Sequence, residues 1–189
     1  MSDAGKKTVL LVEDEAIIAM SQSLILRRNG YTIITASNAE RAVAAVQDNT
    51  AIDLVLMDIN LGSGVDGTVA AQRILALRDL PVVFLSSHTE KEVVETTEGI
   101  TSYGYIVKNS GETVLLASIR MAFRLFEAKQ QEKEKSLALI KKMDELERIH
   151  RLTVDRELAM IGLKKEINEL MIRCGEAEKY TIAVPSYAP

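Results

Sequence analysis

The chain has 189 residues, of which 47% are hydrophobic and 26% charged, and this balance is typical of a folded globular protein. Its formal net charge of −4 argues against broad nucleic-acid binding, and no apolar run approaches the ~20 residues that span a bilayer. Cys174 is the only cysteine, which excludes an internal disulfide, and no signal peptide precedes the first apolar run. We therefore expect a cytoplasmic protein without membrane contacts.

Five short apolar segments before Ala128 predict β-strands, because each shows little polar alternation. In chain order they are residues 8–12, 31–36, 54–57, 81–85 and 103–107. A segment with helical character follows each strand, at residues 16–29, 39–47, 68–78, 90–98 and from Glu112 onward. Five strand–helix units in about 125 residues predict a doubly wound α/β domain with a parallel sheet that is buried on both faces.

Local signals support the first two predicted helices. Apolar side chains recur at helical spacing in residues 16–29, at Ile17, Met20, Leu24 and Leu26. Gly30 is expected to end that helix, and Asn38 is expected to cap the helix at residues 39–47.

Polar residues follow four of the predicted strands, at the edge of the sheet where doubly wound domains bind their ligands. They are Glu13, Asp14, Asp58, Ser86 and Lys108. Clustered carboxylates repel one another unless a divalent cation holds them together, and Mg²⁺ prefers such oxygen ligands. An aspartate beside Mg²⁺ can attack a phosphoryl group, and the metal, the lysine and the serine hydroxyl would share the developing charge.

The motifs that carry these residues resemble the response-regulator receiver (CheY-like) domain over residues 6–128. The matching motifs are Glu13-Asp14, Leu-Met-Asp-Ile-Asn, Val-Val-Phe-Leu-Ser and Gly-Tyr-Ile-Val-Lys. The resemblance implies a flavodoxin-like sheet of strand order 2-1-3-4-5. The family usually has proline after the lysine, where this chain has Asn109.

The resemblance also implies roles for individual residues. Asp58 would accept a phosphoryl group from the phosphohistidine of a sensor kinase or phosphotransfer protein. Asp14, Asp58 and the backbone carbonyl of Asn60 would bind Mg²⁺, and Glu13 would reach the metal through water. After phosphorylation Ser86 would turn toward the phosphoryl group and Tyr105 would swing inward. The face formed by helix 90–98, the fifth strand and the next helix would then change its contacts.

Three other motifs have weaker interpretations. The segment Gly62-Ser63-Gly64-Val65-Asp66-Gly67 fits the dinucleotide-binding pattern, but the acidic residue expected about 20 positions later is absent. A phosphatase with an aspartyl-phosphate intermediate would need a second aspartate where Asn60 stands. His150 lacks the sequence of a kinase phosphoacceptor box and is expected to be a solvated helix residue. We therefore predict a phosphoacceptor with at most autophosphorylation and autodephosphorylation, and not an enzyme.

The chain changes character near Ala128, because 27 of residues 1–128 are charged but 23 of the shorter segment 129–189 are. No glycine lies between Gly111 and Gly162, which predicts a long helix. We therefore divide the chain into a receiver domain (1–128), a connector helix (129–175) and a flexible tail (176–189).

The connector helix has a heptad pattern in which eight of eleven a and d positions are apolar. These positions are Leu139, Lys142, Leu146, Ile149, Thr153, Arg156, Met160, Leu163, Ile167, Leu170 and Cys174. The pattern favours a parallel coiled-coil homodimer, and the alternative is an intramolecular hairpin that turns at residues 153–155. The segment 152–170 resembles connector helices that follow receiver or PAS modules in bacterial and archaeal signalling proteins.

Three functions remain open at this point. The first is a phosphorylation-controlled interaction module of two-component signalling. The second is an RNA-binding antitermination regulator, although the tail has 12 basic and 11 acidic residues and no basic stripe. The third is a structural adaptor that does not accept phosphate, although its acidic residues are complete.

Overall fold

The computed structural model describes residues 6–62, 65–87, 103–108 and 110–182. Five parallel strands form one sheet in the order β2-β1-β3-β4-β5, which confirms the predicted fold class. The strands are β1 (Thr8–Val12), β2 (Thr32–Ala36), β3 (Ile52–Asp58), β4 (Val82–Ser86) and β5 (Tyr105–Val107). The helix predicted at residues 90–98 and the residue after Lys108 lie outside the described part of the chain.

Within the described residues, three short helices precede the long C-terminal one: α1 (Ala16–Arg28), α2 (Ala39–Asp48) and α3 (Gly67–Leu77). Gly30, at φ +89°, ends α1 as predicted, because the left-handed backbone lets its amide bond back to the carbonyl of Arg27. Asn38 caps α2 as predicted, since its Oδ1 accepts the backbone N–H of Arg41 at 2.9 Å.

The inner strands of the sheet are largely buried on both faces, as strands without polar alternation predict, whereas the edge strand β2 exposes Thr32 and Thr35. Every residue of β1 and β4 is buried. One apolar cluster lies on the side of α2 and α3 and contains Leu10, Val55 and Phe84 from the sheet. The other lies on the side of α1 and contains Leu11 and Leu85 together with side chains of the C-terminal helix. Side chains that alternate along each strand therefore fill two separate cores.

Helix α1 buries only one of the four apolar side chains whose spacing predicted it. Leu26 is fully buried, but Ile17 and Met20 are 85% and 75% exposed, and Leu24 is exposed as well. The helix turns the side with Gln22 and Leu26 toward the sheet instead. Helical spacing predicted the helix correctly, but it could not predict which side of the helix the sheet would cover.

The C-terminal helix, α4, spans Glu112–Arg173 without interruption. The chain divides into two compact units, Met1–Gln131 and Glu132–Pro189. In the first unit, Leu116 and Ile119 of α4 pack against the sheet. In the second unit the hydroxyl of Thr153 donates to the carbonyl of Ile149 at 2.9 Å, within a continuous helix. The hairpin alternative is therefore wrong, because it required a turn at residues 153–155.

Residues 176–182 return along the last turns of α4. Gly175, at φ +82°, ends the helix. The side chain of Asn168 is buried and accepts the backbone N–H groups of Lys179 and Tyr180 at 3.1 and 3.0 Å. It also donates to the carbonyl of Tyr180 at 2.7 Å. Part of the segment predicted as a flexible tail therefore contacts α4 through Asn168. Among the described residues, no helix combines the length and apolarity needed to cross a membrane.

Candidate metal centre

The register of the sheet brings the predicted site residues to one edge. Val12 pairs with Met57, so Glu13 and Asp58 follow at adjacent positions on the neighbouring strands β1 and β3. Asp58 pairs with Leu85 of β4, which places Ser86 one residue further along. Parallel strands end on the same side of a sheet, and this common direction gathers residues that are far apart in sequence.

The carboxylates of Glu13, Asp14 and Asp58 form a cluster that could hold a metal ion. One oxygen from each lies within 4.8 Å of the others. Glu13 and Asp58 are almost completely buried, whereas Asp14 is exposed at the rim. Burying two carboxylates side by side is unfavourable unless positive charge compensates them.

Lys108 supplies part of that compensation. Its Nζ lies 2.7 Å from Oδ2 of Asp58 and 2.9 and 2.8 Å from the two carboxylate oxygens of Glu13. The side chain of Lys108 is only 7% exposed, so solvent screens these ion pairs weakly. The ammonium of Lys108 therefore bridges the ends of β1 and β3 from its position after β5.

Burial raises the pKa of both carboxyl groups despite this partner. Removal from water raises the pKa of Glu13, and Lys108 lowers it by less, while the charge of Asp58 raises it further. Burial likewise raises the pKa of Asp58 against the opposing effect of Lys108. Burial lowers the pKa of Lys108, but its bonds to Asp58 and Glu13 outweigh this effect, and the net direction is upward. Burial thus outweighs the effect of Lys108 on both carboxyl groups.

Backbone groups near the strand ends also bind the carboxylates. The N–H of Asn60 donates to Oδ1 of Asp58 at 3.2 Å, and the N–H of Glu15 donates to Oε1 of Glu13 at 3.4 Å. Oε2 of Glu13 accepts no hydrogen bond of good geometry within the described part of the chain, although Lys108 is close. The predicted use of the Asn60 carbonyl as a metal ligand stays a prediction.

The two predicted switch residues occupy neighbouring strands. Ser86 is the last residue of β4 and is buried, and its carbonyl accepts the backbone N–H of Lys108 at 2.8 Å. Tyr105 pairs with Phe84, is half-buried and packs against the core on the side of α2 and α3. Their expected movements stay predictions.

Two glycines beside the site were missed as site residues, because they were considered only as part of a rejected nucleotide-binding pattern. A Cβ on Gly67 would lie 1.9 Å from the carbonyl oxygen of Asp58, and one on Gly62 would lie 2.9 Å from Oδ2 of Asp14. One sequence signal could have indicated Gly67. It directly follows Asp66, which caps the helix, and a glycine at the start of a helix often marks a close approach of two backbone segments.

A groove of about 390 Å³ lies beside α1 and reaches Lys108. Its walls include Ile17, Ile18 and Ser21 of α1 and, opposite them, Lys108 and Gly111. The exposed apolar end of α1 thus lies beside a lysine that also contacts the carboxylates.

Comparison with known proteins identifies the family of this domain. The family model of the response regulator receiver domain matches residues 9–120. The chain belongs to this family. Receiver domains interact with histidine kinases or phosphotransfer proteins, and the relatives of this chain include regulators of two-component systems.

The similarity to individual proteins covers mainly this receiver domain. The transcriptional regulatory protein PdtaR of Mycobacterium tuberculosis is 30% identical over 123 residues, which are 65% of this chain and 60% of that protein. The phosphate regulon transcriptional regulatory protein PhoB of Escherichia coli is 31% identical over 122 residues, 62% of this chain and 52% of that protein. The chain therefore spans between about half and 60% of the length of these relatives.

A solved structure extends the comparison to the fold. The N-terminal domain of a response regulator/sensory box/GGDEF 3-domain protein from Carboxydothermus hydrogenoformans superposes with a TM-score of 0.61 and 45% identity. The superposition covers 65% of this chain and 98% of that domain. The receiver fold of this chain is therefore shared with a domain that begins a longer signalling protein.

Proposed function

We propose that this protein is a response regulator of two-component signalling that accepts a phosphoryl group on Asp58. The observation that carries the proposal is the bridge from Lys108 to Asp58 and Glu13, at 2.7 and 2.8 Å, inside a buried carboxylate cluster. An ion pair that served only to stabilise the fold would need no more than one carboxylate for its one lysine. Here three carboxylates cluster and one lysine contacts two of them, which leaves a net formal charge of −2.

The residues fit Mg²⁺ as the cofactor. All donors of the cluster are carboxylate oxygens, which a hard cation prefers, and a dication would balance the remaining charge. Asp14 and Asp58 would hold the ion together with the carbonyl of Asn60, and Glu13 would reach it through water. Bound Mg²⁺ would supply positive charge to the phosphoryl oxygens and so lower the barrier to transfer.

The transfer step uses the carboxylate of Asp58 as nucleophile. An oxygen of Asp58 forms a bond to phosphorus while the bond from phosphorus to the histidine nitrogen of the donor breaks, and the nitrogen retains the electron pair. Lys108 would move its ammonium toward the phosphoryl group, and the hydroxyl of Ser86 would donate to another phosphoryl oxygen. Burial of Asp58, which is 1% exposed, limits the access of bulk water to the acyl phosphate.

The groove beside α1 supports a helical phosphodonor as the partner. Ile17 lines this groove, and Met20 lines a neighbouring groove together with Glu13 and Asp14. Both are large apolar side chains that are exposed to solvent in the single chain. A helix of a sensor kinase or phosphotransfer protein would cover these side chains and bring its phosphohistidine to the edge that carries Asp58.

Phosphorylation would change the contacts of the face that includes β5 and the first turns of α4. The phosphoryl group adds a charge of about −1.5 to −2 at pH 7 next to Ser86. Reorientation of Ser86 would open space for Tyr105, which is already half-buried against the core. Through α4 this change would alter partner or dimer interaction.

Chemical phosphorylation tests the acceptor. We expect the protein incubated with acetyl phosphate and Mg²⁺ to gain one phosphoryl group, detected by intact mass, and the Asp58→Asn variant to gain none. The adduct should be lost at high pH, because an acyl phosphate is base-labile. Asp53→Asn is the matched control, since Asp53 lies on the same strand but outside the cluster. Equal labelling of the Asp58→Asn variant would show that Asp58 is not the acceptor. If the parent protein is not labelled at all, the result would favour the structural adaptor that does not accept phosphate.

The connector helix supports a parallel homodimer as part of the same proposal. Within the second unit the apolar heptad positions are exposed, including Leu146, Leu163 and Leu170 at 66%, 58% and 56%. An exposed stripe of mostly apolar side chains at heptad spacing is typical of a coiled-coil surface. The strap of residues 176–182 is held by Asn168, which lies at a b position and leaves the a and d positions uncovered. RNA binding gains no comparable support, because the tail is nearly neutral.

The single cysteine tests the dimer and its orientation. Cys174 is exposed and occupies an a position, so a parallel dimer in register brings two copies within disulfide distance. We expect mild oxidation to give a disulfide-linked dimer at low protein concentration. The control variant Cys174→Ser, Arg151→Cys carries its cysteine on the outer side of the helix and should stay monomeric on a non-reducing gel. Equal cross-linking of both would contradict the parallel dimer.

A further inference from the structure

We propose that Gly62 is a positioning residue for the metal centre, because only a glycine at this place lets the carboxylate of Asp14 join the cluster. The inference rests on the proposed Mg²⁺ site. Gly62 has φ +65°, and a Cβ on it would lie 2.9 Å from Oδ2 and 3.9 Å from the carboxylate carbon of Asp14. A real Cβ cannot stay that close to an oxygen, so one of the two groups must move.

Asp14 is the group that would move. Glu13 and Asp58 are buried and tied to Lys108, whereas Asp14 is exposed and has no hydrogen bond or ion pair within the described part of the chain. Rotation of its short side chain into solvent relieves the contact without disturbing the sheet. A side chain at position 62 would therefore displace one carboxylate of the cluster and leave the core unchanged.

The consequence is specific to metal binding. Glu13, Asp58 and Lys108 would keep their mutual contacts, so the buried part of the site would persist. The ion would lose the carboxylate at the solvent side of the cluster, and residues that orient a metal ligand typically change affinity about 10- to 100-fold when altered. Affinity for Mg²⁺ and stability of the fold should thus respond differently to the same substitution.

Gly30 provides a matched control for the backbone. It has φ +89°, so alanine suffers the same type of left-handed strain as at position 62. No atom lies within 4 Å of a Cβ built on Gly30, and it is remote in sequence from the cluster. Gly30→Ala therefore reproduces the backbone strain of Gly62→Ala without placing a Cβ against Asp14.

The experiment measures Mg²⁺ binding to the full chain by an NMR titration, and thermal unfolding in EDTA. We expect Gly62→Ala to weaken Mg²⁺ at least tenfold and Gly30→Ala by less than twofold, while both lower the unfolding temperature by similar amounts. Asp14→Asn should weaken Mg²⁺ as well, and adding Gly62→Ala to it should change the affinity by less than twofold. Such non-additivity is the signature of an effect that acts through Asp14.

Two results would overturn the inference while the proposed function survives. One is a Gly62→Ala variant that binds Mg²⁺ as tightly as the Gly30→Ala variant. The other is a double variant in which the losses of Asp14→Asn and Gly62→Ala add. If the parent protein binds no Mg²⁺ at all, the proposed metal site fails and the role of Gly62 fails with it.

Discussion

Replacing Gly67 by alanine is expected to lower the free energy of unfolding by about 3 kcal/mol or more and to abolish phosphorylation of Asp58. The new Cβ would lie 1.9 Å from the carbonyl oxygen of Asp58, 2.9 Å from its carbonyl carbon and 3.1 Å from the Cα of Ile59. All three atoms are backbone, so no side-chain rotation can relieve the overlap. The N–H of Gly67 also donates to the carbonyl of Ile59 at 2.9 Å, which ties the start of α3 to the end of β3.

The start of α3 must therefore move away from β3, and the strand end that presents Asp58 loses its support. Urea unfolding measures the first effect, and acetyl phosphate labelling measures the second. Gly162→Ala is the control, because a Cβ on Gly162 meets no atom within 4 Å in the exposed part of α4. That substitution should stabilise the helix by roughly 0.5–1 kcal/mol. A Gly67→Ala protein with parental stability and labelling would show that this close approach does not matter.

Replacing Lys108 by methionine is expected to lower the free energy of unfolding by about 3 kcal/mol at pH 7 in EDTA. Methionine keeps the volume of the side chain but leaves the buried carboxylates of Glu13 and Asp58 without their ammonium partner. Lys141→Met is the control, because Lys141 lies on the exposed surface of α4 and should change stability by less than about 0.5 kcal/mol.

The loss of stability caused by Lys108→Met should depend on pH in a defined direction. Burial already raises the pKa of Glu13 and Asp58 above their ordinary values, and removing Lys108 removes an effect that lowers both. A folded state with raised carboxyl pKa values binds more protons than the unfolded chain, so stability falls as pH rises from the unfolded pKa values through the folded ones. The ammonium of Lys108 in the parent stays protonated throughout this range, because its own pKa is raised.

We therefore expect the stability difference between the parent and Lys108→Met to shrink when pH is lowered from 7 to 5. Urea unfolding at pH 5, 6 and 7 in EDTA measures this difference directly. A deficit that stays constant across these pH values would mean that lost packing, and not two uncompensated carboxylates, explains the effect of the substitution.

The strand–helix alternation and the strand-end residues could be predicted from the sequence for a simple physical reason. A strand covered on both faces needs apolar residues at every position, and Leu10 and Leu85 are found fully buried as such a pattern requires. Gly30 and Asn38 ended and began helices as predicted, because their conformational preference and hydrogen bonding are local properties. Asp58 and Lys108 were recognised by position, since both directly follow apolar strands.

Other features depend on contacts between residues that are distant in sequence. The solvent exposure of Ile17 and Met20 follows from the side of α1 that packs on the sheet, which the apolar spacing could not indicate. The role of Gly67 follows from the backbone of Asp58, and the contact of residues 176–182 with α4 follows from Asn168.

The sequence by itself determined the class of fold, the long C-terminal helix and the set of acidic and basic residues at the strand ends, because these depend on local preference and on the burial of apolar segments. Only the tertiary structure decided how Glu13, Asp58 and Lys108 share one buried cluster and which glycines border it. Strand register and close backbone approach fix distances of a few ångströms, and neither leaves a mark on local composition.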